Sequence, residues 1–399
     1  MAFVCKNDEW VLRTKEQDWS LAEFSKRLNR PAYVYDFDEV RERAKRFSTG
    51  PAQVHYAMKA NAHPRLLSLL KSLGLGVDVV SLGEMNKALA HGFAPQKIIF
   101  SGVGKDREDL AAALRQGILQ INAESFEELQ ALASLAREMK MTARVALRLN
   151  IHLSAPTHKN IQTATEESKF GLDIRLLPEV LQWLKSHSEV QLVGLAVHIG
   201  SQILDVGVFE TMSRKIGEVY KQVKSEGLPL QRLDLGGGLG IRYEDDGSSE
   251  DFERLDTYFS ALSQHGTDAA IVCEPGRFLV ARSGVLLSKV VYIKRGLTKK
   301  FAILNAGMTC LMRPALYEAY HRIEPLKRRT TETESYSVVG PICESTDVFA
   351  EERSLPRLEA GDWVGIFEAG AYGAVMASGY NETPLPEQWS LLDGKWEVL

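Results

Sequence analysis

Residues 54–101 read VHYAMKANAHPRLLSLLKSLGLGVDVVSLGEMNKALAHGFAPQKIIFS, and one phrase recurs within them. A short apolar run (Val54 to Ala57, Val77 to Val80, Ile98 to Ser101) leads into a polar or glycine-bearing turn and then a longer stretch with helical periodicity. Traced outward to residue 274, the phrase continues through Leu119 to Ile121, Arg144 to Leu149, Leu192 to Val197, Arg232 to Leu235 and Ile271 to Glu274. Most of these runs are rich in Val, Ile and Leu without polar alternation, as in strands covered on both faces of a parallel sheet. The connector from Glu124 to Lys140 shows the helical half, with Phe126, Leu129, Leu132 and Leu135 at helical spacing among charged residues. Eight such units predict an α/β fold, a TIM (β/α)8 barrel.

After Glu274 the pattern changes to β-branched runs, Val285 to Lys294, Phe301 to Leu304, Tyr336 to Val339 and Trp363 to Phe367, separated by Gly, Pro and charged turns. They predict a second, all-β domain. Ala32 to Tyr35 reads as a strand ahead of the barrel that joins it. The expected division is an N-terminal segment 1–36 contributing to the β domain, a barrel over 37–277 and a C-terminal β domain over 278–399. Between Asn150 and Phe170 periodicity gives way to polar residues, histidines and a proline, which reads as an extended loop at a strand's end.

The chain has 399 residues, 45% hydrophobic and 25% charged, enough for a large core and more than one domain. A formal net charge of -4 offers no broad basic face, so neither nucleic acid nor an anionic membrane is an expected partner, and a small molecule is. No apolar run reaches the roughly eighteen residues of a membrane span, and the first ten residues, MAFVCKNDEW, do not open a signal peptide. Cys5, Cys273, Cys310 and Cys343 are too dispersed for a zinc site or a disulfide framework. A cytoplasmic location with reduced thiols fits.

In a TIM barrel the reactive groups sit at the carboxyl ends of the strands. At the ends of these runs stand Lys59, Asp78 with Ser81, His198, Gly236 to Gly238, and then Glu274, Gly276 and Arg277. The glycines of GGGLG, 236–240, allow backbone N–H groups to approach an anion, and their place after the seventh run, near EPGR at 274–277, is where such barrels often hold phosphate. Alone, the glycine run reads equally well as a tight turn. A lysine after a buried strand is costly without a task, and its amine forms a Schiff base with an aldehyde cofactor.

YAMKAN at 56–61 resembles the cofactor-lysine motif of the fold-type III pyridoxal-phosphate enzymes, alanine racemase-like proteins that pair a barrel with a β domain. Within that group the chain resembles the diaminopimelate decarboxylase family from about residue 30 to residue 381. The motifs are KFGLD at 169–173, HIGSQ at 198–202, GGGLG, EPGR, RPALYEAYH at 313–321, GPICESTD at 340–347 and GAYG at 370–373.

The resemblance implies pyridoxal 5′-phosphate on Lys59 and decarboxylation of meso-2,6-diaminopimelate to L-lysine and CO2, the last step of lysine biosynthesis, with no metal. It implies that Glu274 pairs with the pyridine nitrogen and that His198 stacks on the ring. Asp78 and Gly237 belong to the cofactor set, while Ser201, the backbone of Gly238, Gly276 and Arg277, and the hydroxyl of Tyr372 hold the phosphate. For the substrate it implies Arg277 and Arg313 on the distal carboxylate, Tyr317 and Tyr372 beside them, and Glu344 on the distal ammonium. Cys343 becomes an active-site thiol reaching the partner subunit, so the unit is a homodimer with shared sites.

Other readings remain open on the residues alone. A decarboxylase of ornithine, lysine, arginine or carboxynorspermidine would share the cofactor residues, a racemase would lack the CES loop, and a non-catalytic relative would have lost Lys59, Glu274 or Cys343. Departures from the family pattern lie at Ile151, Ala164, Gly379 and ETPLPEQW, 382–389. They fall outside the cofactor residues and bear on the substrate's cover and the dimer interface.

Overall fold

The structure is a computed structural model that describes residues 2–153, 168–244 and 248–399. The chain forms two compact units, one made of Ala44–Gly240 and Ser249–Gly276, the other of Met1–Arg43, Ile241–Ser248 and Arg277–Leu399. Most of the loop expected between Asn150 and Phe170, Ala164 included, lies outside the described residues.

The first unit is the barrel. Its strands are β1 Gln53–Ala57, β2 Gly76–Val79, β3 Ile98–Phe100, β4 Gln120–Ala123, β5 Ala143–Asn150, β6 Val190–Ala196, β7 Arg232–Asp234 and β8 Ala270–Cys273. Every neighbouring pair is parallel, and β8 closes on β1 through Val272↔Gln53 and Cys273↔Val54. All eight lie within one or two residues of the runs read from the sequence. Side chains along them are buried almost without interruption, the double-sided burial that the unalternating Val, Ile and Leu runs demand.

The helices between strands are capped locally. Phe126–Met139 begins where Ser125 Oγ accepts the Glu128 N–H at 3.1 Å. It ends at Lys140, which turns left-handed at φ 54°. Arg107–Gln116 has a full capping box, with Asp106 accepting from Asp109 N–H and the Asp109 side chain accepting from Asp106 N–H. Ser81, read from the sequence as a strand-end candidate, is likewise a cap, accepting from Glu84 N–H at 3.1 Å.

The second unit is built mostly of strands. Gly284–Arg295 is its long central strand, antiparallel to Ala32–Asp36, to Lys300–Leu304 and to Trp363–Ile366. Ala32–Asp36 also pairs in parallel with Glu387–Leu392, so segments from both ends of the chain share one sheet. A separate three-stranded antiparallel sheet, Phe3–Lys6, Glu9–Arg13 and Asp18–Ser20, precedes them. Trp10, Leu12, Phe24, Val34, Val285, Phe367 and Leu391 form this unit's core, each burial of that size stabilising by about 1.5–3 kcal/mol. Among the described residues no helix is long and apolar enough to cross a membrane.

Candidate active site

Strand β1 ends in a single 3-10 turn, Met58–Ala60, which sets Lys59 at the carboxyl mouth of the barrel. Register places Ala57 beside Asp78 of β2, and Lys59 Nζ stands 3.5 Å from the fully buried Asp78 carboxylate. From β4, alternate residues Gln120 and Asn122 face the same way. Asn122 Nδ2 donates toward Ser101 Oγ at 3.1 Å, Asp234 Oδ2 at 3.3 Å and Glu274 Oε1 at 3.4 Å. Gln120 Nε2 donates to Asn122 Oδ1 at 2.9 Å and toward Asp234 at 3.4 Å. Arg148 of β5 pairs with Glu124 at 2.6 Å and lies 5.0 Å over the Phe170 ring. Lys59, Asn122, Arg148, His198, Asp234 and Glu274 line one cavity.

Charge in this cavity is poorly compensated. Burial first, then the neighbouring Asp234 and Asp78, push the Glu274 carboxyl well above the usual range. Burial also pushes Asp234 up to about 6, against the hydrogen bonds that hold it. His198 is half-buried. Desolvation, then Arg148 and Lys59, nonetheless depress its pKa well below the ordinary imidazole value, so it is neutral. Gly237 N–H donates to its Nδ1 at 3.2 Å, which leaves the ring proton on Nε2.

The glycine loop after β7 has two left-handed residues, Gly236 at φ 65° and Gly238 at φ 106°. A Cβ would fall 2.6 Å from the Val197 carbonyl oxygen at Gly236, 2.3 Å from that of Glu274 at Gly237, and 2.6 Å from that of Gly200 at Gly238. Only glycine lets these backbones come so close. The loop after β6 that carries Ser201 runs alongside, with Ile203 N–H on Gly238 O and Gly240 N–H on Ile203 O, both at 2.9 Å. Gly276 is buried, and the preceding Pro275 carbonyl accepts Ala57 N–H at 3.1 Å, tying EPGR to the end of β1.

Within the β-rich unit, Arg277 and Arg313 gather around Tyr243. Arg277 Nη1 donates to Tyr243 Oη at 2.7 Å, and Arg313 lies 4.8 Å over the Tyr243 ring. Burial raises the Tyr243 pKa, but the two guanidinium groups outweigh it and the net shift is downward. Arg277 also stacks 4.9 Å over Tyr372, which is held left-handed at φ 56°. Tyr317 ends the short helix Arg313–Tyr317. Cys343 and Glu344 are exposed in a turn knotted by Asp347, whose carboxylate accepts Ile342 N–H at 2.7 Å and Met308 N–H at 2.5 Å. Glu344 Oε1 accepts from Tyr380 Oη at 2.6 Å.

The family described as pyridoxal-dependent decarboxylase, pyridoxal binding domain, matches residues 37–281. Diaminopimelate decarboxylase of Helicobacter pylori is 39% identical over 92% of this chain and 92% of its own length, and that of Zymomonas mobilis 40% identical over 92% and 89%. The chain belongs to the diaminopimelate decarboxylase family. A crystal structure of the Helicobacter pylori member complexed with L-lysine superposes with a TM-score of 0.88 at 38% identity, covering 94% of this chain and 95% of that one.

The cofactor of this decarboxylase family is pyridoxal 5′-phosphate, and the residues present fit it. A buried acid, Glu274, suits a basic ring nitrogen, the Lys59 amine suits an aldehyde, and the bare backbone of Gly236 to Gly238 suits a phosphate. Several residues that shape these groups carry no strand-end signal. Asp234 is the last residue of β7 but falls within the run read as Arg232 to Leu235, Asn122 lies inside β4, Tyr243 sits in a segment without distinctive pattern, and His321 closes the RPALYEAYH motif without having been singled out. Only the polar character of Asn122 and Asp234 within otherwise apolar runs marks them.

Proposed function

We propose that this chain is a carboxy-lyase that converts meso-2,6-diaminopimelate to L-lysine and CO2 with pyridoxal phosphate held on Lys59. The observation that carries the reading is the pair of buried arginines, Arg277 and Arg313, on one tyrosine ring. Two desolvated guanidinium groups make a receptor for a carboxylate, which a simple diamine precursor such as ornithine lacks at its far end.

Bound pyridoxal phosphate supplies an electron sink for the pair left on Cα when the bond to the carboxylate breaks. Glu274 holds a proton at the ring nitrogen, and neutral His198 presents its face to the ring without adding charge. Ser201 and the backbone of Gly238, Gly276 and Arg277 take the phosphate, with the hydroxyl of Tyr372. Asp78 holds the Lys59 ammonium until the amine is required. Arg277 and Arg313 bind the distal carboxylate, with Tyr317 and Tyr372 beside them, and Glu344 accepts the distal ammonium. A proton added to Cα by Cys343 completes the exchange of CO2 for hydrogen. Two subunits share each site, Cys343 acting in the partner's, and the enzyme works in the cytoplasm.

Product analysis tests this. Incubation of the cofactor-loaded protein with meso-diaminopimelate yields lysine and CO2 in equal amounts. Turnover of ornithine, arginine or lysine in preference to diaminopimelate would overturn the substrate assignment while leaving the reaction type.

A further inference from the structure

The barrel's lumen has a second mouth, at the amino ends of its strands. Lys97, Arg144 and Arg232 stand four, four and two residues before Ser101, Arg148 and Asp234, which line the active-site cavity. Side chains alternate along a strand, so all three turn inward at the opposite end. Followed round the closed register, with a stagger of about one residue per strand, they fall with Gln53 into one layer of four, the floor of the lumen. The layer above is Gly76, Gln120, Gly194 and Val272, half of it without side chains. The His55 ring leans over the first glycine, where a Cβ would stand 2.3 Å from its Nδ1, and Arg232 crowds the second, where a Cβ would stand 3.4 Å from its own.

Three of the four floor residues are cations, and among the described residues none of them pairs with a carboxylate. Lys97 Nζ donates to the Gly74 carbonyl at 3.2 Å, while Arg144 Nε and Arg232 Nη1 are buried without an acceptor. Burial, then Arg144, lower the Arg232 pKa, so each guanidinium lies in the other's field. His55, 2% exposed, is also without a partner at Nδ1, and burial, then Lys97, push its pKa down to about 4. The acids that flank the floor in sequence are committed elsewhere. Glu189, before β6, accepts from Arg137, and Asp268, before β8, from Lys224. Asp234 lies beyond the glycine layer and takes its donors from Asn122, Gln120 and Gly236. Like charges partly desolvated and without a counter-ion are costly, and an oxyanion that accepts from both planar forks removes that cost.

We propose that the floor of the barrel is a binding site for inorganic phosphate, held by the guanidinium groups of Arg144 and Arg232, with Lys97 at its rim and the His55 ring behind it. The site is separate from the glycine cradle assigned to the cofactor's phosphate, which lies at the carboxyl ends of the strands, and it does not depend on that assignment.

The test is calorimetric titration of the cofactor-loaded full chain with sodium phosphate, against sodium chloride at equal ionic strength. The wild type binds phosphate saturably, and Arg144→Gln and Arg232→Gln each weaken that binding by roughly ten- to a hundredfold, as loss of a charge-assisted contact does. In histidine-labelled protein, phosphate moves the His55 ring resonances, identified by their absence in His55→Gln. Thermal melts check that the arginine variants fold. Lys97→Gln, at the exposed rim, replaces any that does not and weakens binding by about two- to fivefold. Heats that never saturate, His55 resonances indifferent to phosphate, or affinity unchanged in every folded variant overturns the proposal. Acetate bound as tightly as phosphate would overturn the assignment to phosphate.

Discussion

Arg313 Nη1 donates to Nε2 of His321 at 2.7 Å, and His321 Nδ1 donates in turn to the Phe367 carbonyl at 2.8 Å. Burial, then Arg313 itself, keep His321 neutral, so one ring nitrogen is free to accept from the guanidinium. The geometry aims a planar fork that lysine cannot reproduce. Arg313→Lys therefore lowers kcat/KM for meso-diaminopimelate by roughly ten- to a hundredfold, the worth of about 1.5–3 kcal/mol for a charge-assisted contact. An unchanged specificity constant would remove Arg313 from the substrate pocket.

Lys59 offers the simplest chemical check. Borohydride added to the cofactor-loaded protein fixes the cofactor to the tryptic peptide that contains Lys59, and Lys59→Ala abolishes the label. Label recovered on another lysine would displace Lys59 from its assigned role.

The eight barrel strands were legible because each is buried on both faces and so reads as an apolar block, and the ends of those blocks point to the catalytic candidates. Where burial is one-sided or slight, the pattern fades. Phe3–Lys6 and Lys395–Val398 are short and mostly exposed, and their residues, FVCK and KWEV, show no run to find. Val348–Pro356 has the charged stretch Glu351–Arg353 in its middle, which reads as a turn although the strand pairs along Thr333–Val339. Asp234 is invisible for another reason. Its neighbours announce a buried strand, but nothing local says that its carboxyl meets one forty residues later, because that meeting is made by the parallel pairing of β7 with β8. Tyr243 hides in an excursion, Ile241–Ser248, that leaves the barrel between β7 and the next helix and packs in the other unit.

Gly237 should tolerate no side chain. In Gly237→Ala the new Cβ meets the Glu274 backbone at 2.3 Å, where nothing flexible can yield. Overpacking of that kind costs about 1–3 kcal/mol, seen as a lower melting temperature and weaker cofactor affinity. Gly104→Ala, with open space around its Cβ, is the control and stays within about 0.5 kcal/mol of wild type. Equal melting of the two variants would contradict the close approach.

Asp36 links stability to pH. Its carboxylate accepts Asp38 N–H at 2.9 Å at the start of the helix Phe37–Phe47, yet burial, then Glu39, raise its pKa to about 7. A carboxyl raised above its unfolded value binds its proton more tightly when folded. That contribution is therefore complete below the unfolded pKa of about 4 and is lost as pH climbs through 7, up to about 4 kcal/mol in total. Asp36→Asn keeps the acceptor without the charge. It should unfold at higher denaturant than wild type above pH 7, and the gap should close as pH falls toward the ordinary carboxylate range. A gap that does not change with pH would show that Asp36 ionises normally.

Lys59 and Cys343 belong to different compact units, and Cys343 is exposed on a turn that Asp347 holds in shape. An exposed thiol rigidly presented is suited to act outside its own chain. If each site takes Lys59 from one subunit and Cys343 from its partner, Lys59→Ala and Cys343→Ala are separately inactive but complementary. Random re-pairing makes half of the dimers mixed, and each mixed dimer has one complete site of two, so about a quarter of wild-type activity returns. Mixing under dissociating conditions and then reassembling the subunits measures it, with size-exclusion confirming dimers. Activity no greater than the sum of the separate variants would mean that each subunit supplies its own thiol, and the proton for Cα would then have to come from within the same chain.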